Sequence, residues 1–309
     1  MFYEKMNALP KPRIAEVLPP PGEYPDALEK MFRRRRTLAR DLGLVEAQIE
    51  HLLASHCPNV AQDVELYNGN LGVSRKFVDD YEGPVGQLQW LDDLEERFNR
   101  PEDHPGDVSG ERWGTGALIA DDIFLTAGHC FDQYPRGWVV PSQFNVPISP
   151  THIAKLMQVN FNYQVDGRTK KTRPGVPFPV TGLLEYRNGD IDYAILKRGP
   201  NHDGKLPGKL FGSLALAKKD LRKVGTMLCI IQHPIRREKK IEAGPLKEIR
   251  AGRIAYDSID TAGGSSGAPI LSPKGEIVGV HLKGGCTGEA GFNSGCTIGA
   301  IRAASQLLG

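Results

Sequence analysis

Between Asp26 and about Ser55 the apolar residues Leu28, Met31, Phe32, Leu38, Leu42, Leu44, Val45, Ile49 and Leu52 recur at roughly helical spacing. That pattern predicts two helices, with Asp26 as the first N-cap and Gly43 dividing them. Ahead of them, residues 10–25 carry Pro19-Pro20-Pro21-Gly22 and predict an extended lead-in. From about residue 76 the texture changes. Short β-rich runs are separated by Gly, Pro, Asn and Asp: Val85–Trp90, Gly116–Ala127, Leu156–Val165, Phe178–Tyr186, Tyr193–Leu196, Met227–Ile231 and Glu276–His281. Their spacing predicts a mainly β region, an antiparallel barrel or sandwich, and the 234 residues from 76 to 309 suffice for two packed barrels. The expected organisation is a proline-rich lead-in (1–25), a helical extension (26–75) and one large β domain (76–309).

Composition narrows the setting. The 39 basic and 37 acidic residues nearly cancel, so net charge predicts no attraction to nucleic acid or to an acidic membrane. Arg33 to Arg36 form a basic run on the first predicted helix, read as a solvated face. The N-terminus lacks an apolar run after a basic start, and no segment is long and apolar enough to span a bilayer. Five cysteines, Cys57, Cys130, Cys229, Cys286 and Cys296, are an odd number without the spacing of a secreted disulfide framework. Together these predict a reduced, cytoplasmic location, with Cys130 a small buried hydrophobe and Cys286 and Cys296 either free or bridged. His51, His56 and Cys57 have no second pair at zinc-finger spacing, so no metal or cofactor is expected.

The candidate chemistry lies in three strings. Leu125-Thr126-Ala127-Gly128-His129-Cys130 ends an apolar run on a histidine. Asp192-Tyr193-Ala194-Ile195-Leu196 begins one on an aspartate. Asp260-Thr261-Ala262-Gly263-Gly264-Ser265-Ser266-Gly267-Ala268-Pro269 sets a serine in a glycine-rich turn. A serine hydroxyl attacks a carbonyl only if a base takes its proton, and neutral imidazole suits that task. Ser266 is therefore the expected nucleophile, His129 the base and later the acid, and Asp192 the group that fixes the imidazole tautomer. Asp190 is the alternative carboxylate. The backbone N–H groups of Gly264 and Ser266 are the expected oxyanion donors. His233, before Pro234, reads as a strand-end packing residue.

These strings resemble those of the chymotrypsin-like (trypsin-fold) serine peptidases. Thr126-Ala127-Gly128-His129-Cys130, Asp192-Tyr193-Ala194-Ile195-Leu196 and Gly264-Ser265-Ser266-Gly267-Ala268-Pro269 are similar to the family's histidine, aspartate and serine motifs, in the same order and 63 and 74 residues apart. The resemblance covers about residues 76–309 and implies a double antiparallel β-barrel and hydrolysis of a protein or peptide substrate through an acyl-enzyme. Ile231-Gln232-His233-Pro234, Thr261, Val280-His281-Leu282-Lys283-Gly284-Gly285 and Asn293-Ser294-Gly295 resemble the bacterial glutamyl-endopeptidase-like branch. In glutamyl members the residues matching Thr261 and His281 line the primary specificity pocket, which implies an acidic P1 side chain as one alternative.

The chain also departs from the family. Animal digestive members carry an aspartate before the nucleophile that pairs with a new N-terminus; Ser265 stands there instead, so that activation switch is not expected. Gly114-Thr115-Gly116 offers no disulfide partner for Cys130. The extension is expected either to recruit a regulatory protein through residues 26–75 or to restrain the enzyme. The rival functions are a catalytically silent binding module on the same fold and an adaptor acting mainly through its N-terminal helices.

Overall fold

A computed structural model describes residues 61–285 and 291–309. The lead-in, the two predicted helices, the Arg33–Arg36 run, His51, His56, Cys57 and Cys286 lie outside the described residues. In chain order, β1 (Gln62–Asp63) and helix α1 (Arg75–Tyr81) lead into β2 (Val85–Trp90). Then follow α2 (Leu94–Arg97), β3 (Asp103–His104), β4 (Arg112–Leu118) and β5 (Ile123–Thr126). After these come β6 (Ser142–Gln143), β7 (Val146–Pro147), α3 (Pro150–Lys155), β8 (Met157–Phe161), β9 (Val176–Arg187) and β10 (Tyr193–Arg198). Strands β10-β5-β4-β2-β8-β9 close an antiparallel barrel, and β3, β6 and β7 form a small separate sheet.

The barrel closes around aromatic side chains. Phe124 on β5, Phe161 on β8 and Phe178 on β9 are fully buried and meet edge to face, with centroids 6.0 and 5.6 Å apart. Such pairs add roughly 1 kcal/mol each beyond burial of their area. Phe211, on α4 (Pro207–Phe211), stacks on Phe161 at 5.1 Å and covers the barrel end.

The second half comprises β11 (Met227–Gln232), β12 (Lys240–Pro245), β13 (Glu248–Arg250), β14 (Arg253–Tyr256), β15 (Pro269–Leu271), β16 (Ile277–Lys283), β17 (Asn293–Thr297) and α5 (Ile298–Ala304). With β1 they form an eight-stranded half-barrel, ordered β1-β12-β11-β15-β16-β17-β14-β13. The mainly β, chymotrypsin-like fold expected from sequence as a double antiparallel barrel is present, with the first sheet closed into a barrel and the second an open half-barrel. Residues 61–74 correct the expectation of a helical segment running to 75. They are strand and turns: Gln62 pairs with Ile241, and Val64 and Tyr67 are buried in a core shared with β11 and β12. Their apolar side chains serve a sheet edge, which a helical count over the preceding residues could not anticipate.

The two halves share apolar clusters and are also joined by buried polar contacts. Lys239, fully buried just before β12, donates to the Glu82 carboxylate at 2.7 Å and to the Glu82 carbonyl at 2.8 Å, just before β2. Removing one partner strands the other, and Glu82 is one-fifth exposed, so water recovers part of the loss. Lys239→Met is expected to lower stability by about 2–3 kcal/mol in urea unfolding; a change below about 0.5 kcal/mol would show that the pair does not hold the halves together.

Candidate active site

Strand register brings the histidine and the aspartate together. Ala194 on β10 pairs with Thr126 on β5, and extending that antiparallel register by two residues sets Asp192 opposite Gly128. The Asp192 carboxylate, 5% exposed, accepts from Gly128 N–H at 2.6 Å, His129 N–H at 3.0 Å and His129 Nδ1 at 2.7 Å. Only glycine fits at 128, because a Cβ there would lie 1.8 Å from the Arg187 carbonyl oxygen. An Nδ1–H directed at Asp192 leaves the His129 Nε2 lone pair free to take a proton. Asp190, the alternative carboxylate, has no contact with His129 among the described hydrogen bonds.

The serine turn lies between β14 and β15 and is pinned to β16. Gly267 N–H donates to the His281 carbonyl at 2.8 Å, and His281 N–H to the Ala268 carbonyl at 2.9 Å. Ser265 is fully buried. Its hydroxyl accepts from Ala262 N–H at 3.1 Å, and its own N–H donates to Ala262 O at 2.9 Å. The turn is thus closed from within. Gly264 takes φ +98°, a backbone conformation open to glycine. Among the described residues no hydrogen bond is donated by Gly264 N–H or Ser266 N–H.

His129, Asp192, Ser266, Thr261 and His281 all line one open cleft of about 830 Å³. Sequence reasoning thus picked residues that the fold gathers at one place, and Gly264 lies two positions before Ser266. It did not single out Tyr256. That hydroxyl lies 2.5 Å from His281 Nδ1, both side chains are buried, and it has no other partner among the described residues. If the phenol donates to Nδ1, its buried O–H is satisfied and the remaining His281 proton sits on Nε2, at the cleft that His281 lines. The reverse arrangement leaves a buried O–H unpaired, so the proton of His281 belongs on Nε2. No local motif marks Tyr256; the pairing exists only once β14 and β16 flank β17.

Burial, with the charge of His129 added, pushes the His281 imidazole down to about 3. Thr261 Oγ1 is buried without a hydrogen-bond partner among the described residues. Arg136, Arg253 and Lys283 bring positive charge to the cleft walls. Asp260, next to Thr261, is not among the cleft-lining residues; burial pushes its carboxyl up to about 7. Burial and the nearby Asp260 push Glu242 up to about 8. Near neutral pH this acid pair therefore carries less negative charge than two free carboxylates would. His233 is a packing residue: buried, with Nδ1 2.9 Å from Arg237 O. Cys130 is buried, and desolvation raises its thiol far above the usual range, so it is an unreactive core group.

Residues 114–280 match the family model described as a trypsin-like peptidase domain, more than half of the chain. The chain belongs to the trypsin-like peptidase family. Within that family it is 30% identical over 184 residues to the uncharacterized protein y4fB of Sinorhizobium fredii, covering 56% of this chain. It is 25% identical over 116 residues, 36% of this chain, to a glutamyl endopeptidase of Staphylococcus aureus. The matched stretches span only 25% and 34% of those proteins' own lengths. Among solved structures, the active form of the Rv3671c protease of M. tuberculosis aligns with TM-score 0.47 at 18% identity, covering 80% of this chain and 88% of that one. A Glu endopeptidase in complex with MPD aligns with TM-score 0.48 at 19% identity, covering 75% and 94%. Among the described residues no helix is long and apolar enough to cross a membrane.

His281 gives a direct check on the pocket. Its folded pKa lies below the unfolded value of about 6.5, so its contribution to stability is complete above that pH and is lost as pH falls towards about 3. NMR titration is expected to show its ring neutral down to about pH 4; a midpoint near 6 would contradict the buried pairing with Tyr256.

Proposed function

We propose that this protein is a serine endopeptidase that cleaves protein or peptide substrates, with Ser266 as nucleophile, His129 as general base and acid, and Asp192 as the orienting carboxylate. The observation that carries the reading is the His129–Asp192 contact of 2.7 Å in the cleft that Ser266 also lines. His129 Nε2 takes the Ser266 proton as Oγ attacks the scissile carbonyl. Gly264 N–H and Ser266 N–H receive the oxyanion, and the imidazolium gives its proton to the leaving amine. Water, activated by the same imidazole, then hydrolyses the acyl-enzyme. No cofactor enters these steps.

For the residue before the cleaved bond, the reading is an acidic side chain. His281 Nε2–H and the unpartnered Thr261 hydroxyl supply donors, and Arg253 and Lys283 supply positive charge at the walls. Similarity to a glutamyl endopeptidase supports the same choice.

Peptide-library digestion compared across variants tests both parts. Wild type is expected to cleave after Glu or Asp, and Ser266→Ala is expected to cleave nothing. Asp192→Asn is expected to lower kcat by roughly 10⁴, because the imidazole loses its tautomer lock. His281→Ala is expected to lose the acidic preference by about 10–100-fold in kcat/KM, the worth of one hydrogen bond to a charged group. Full activity in Ser266→Ala would refute the nucleophile; cleavage after Arg or Leu would refute the acidic pocket.

A further inference from the structure

Thr115 sits in the middle of β4, on the barrel, yet every polar group it owns is used on the serine turn or on what supports it. Its N–H donates to Ser266 O at 2.8 Å, extending the barrel strand onto the turn. Its hydroxyl donates to Gly264 O at 2.7 Å and accepts from His233 N–H at 3.0 Å. Its carbonyl accepts from Thr126 Oγ1 at 2.6 Å, three residues before His129. Thr115, Thr126, His233 and Ser265 are all fully buried, so water cannot replace these bonds.

The Gly263-Gly264 pair is the least constrained backbone in the turn, since neither residue has a Cβ to bias its dihedrals. Gly264 is held on two sides. Its Cα face abuts the 233–236 segment, where a Cβ would lie 2.6 Å from His233 O. Its carbonyl is fixed by the Thr115 hydroxyl. Ser265 O accepts from Ala268 N–H at 3.0 Å and Ser266 O accepts from Thr115 N–H, so three successive carbonyls are tied back into the protein. Within residues 264–266, the N–H groups of Gly264 and Ser266 are the ones that donate to nothing among the described residues. Oxyanion donors are effective only when fixed before charge develops, and the Thr115 hydroxyl is the side-chain group that holds the Gly264 carbonyl.

We propose that Thr115 is a positioning residue for the oxyanion-binding amides: from the opposite barrel, its hydroxyl locks the Gly264 carbonyl and with it the 264–265 peptide that lies between the two donors. The proposal rests on the reading of Ser266 as nucleophile. Thr115 touches neither substrate nor the reacting atoms; it acts through Gly264.

The test compares Thr115→Val, which keeps the β-branched shape and removes the hydroxyl, with Thr115→Ser, which keeps the hydroxyl. Thr115→Val is expected to lower kcat about 10–100-fold with KM changed less than about twofold. Affinity for a peptide boronic acid, which mimics the tetrahedral intermediate, is expected to fall in parallel, and Thr115→Ser to restore kcat to within about threefold of wild type. Loss of thermal stability in Thr115→Val with kcat unchanged would overturn the proposal. So would equal loss of kcat in both variants. Amide hydrogen exchange at Ser265, whose N–H shares a peptide with the Gly264 carbonyl and bonds Ala262 O, reads the lock without catalysis: faster exchange in the valine variant supports it, and wild-type protection there overturns it. Absence of any turnover by wild type would refute the peptidase reading itself and leave that exchange measurement to decide the role of Thr115.

Discussion

A carboxylate buried to 95% must find donors or lose its charge, and Asp192 finds three of them within one turn of chain. Two are the backbone amides of Gly128 and His129; the third is the imidazole Nδ1. The two amide bonds fix the turn that carries the histidine, so the imidazole contact is made on a backbone already in place. Barrel register delivers Asp192 to that turn, and the absence of a side chain at Gly128 lets the turn reach Arg187. If the carboxylate lost these donors, the turn after β5 would lose its tie to Asp192, and the histidine would have no defined tautomer.

The barrel and the half-barrel divide the work. The barrel supplies His129 and Asp192; the half-barrel supplies Ser266, Thr261 and His281. Their alignment depends on contacts crossing between them: apolar clusters that take residues from both, and buried polar contacts, Lys239 on Glu82 and Thr115 on Gly264 and Ser266. Buried polar contacts suit this task because they are directional. An apolar interface would tolerate small slips, whereas a hydroxyl 2.7 Å from a carbonyl oxygen does not.

Much of the fold was legible in the sequence where apolar runs were long. The prediction of Val85–Trp90 coincides with β2, and those of Phe178–Tyr186 and Met227–Ile231 fall within β9 and β11. Strand β12 was missed because Lys240, Glu242 and Gly244 interrupt its apolar residues; Lys240 pairs with Asp63 and Glu242 is buried, so neither obeys an alternation of core and solvent. Helix α5 is too short for its period to stand out, and the capping bond from Ala300 N–H to Thr297 is its clearest local signal. At the site, the three motifs were readable because each is a local string. Tyr256 and Thr115 were not, since each matters through a partner at least 25 residues away and neither residue type signals chemistry by itself.

In the proposed mechanism Ser266 carries the acyl group. The most direct measurement is intact-mass spectrometry of the protein acid-quenched during turnover of an activated ester substrate, followed by peptide mapping. One acyl adduct is expected, on the peptide containing Ser266 and absent from the Ser266→Ala protein. Substrate turnover with no adduct, or with the adduct on another residue, would contradict it.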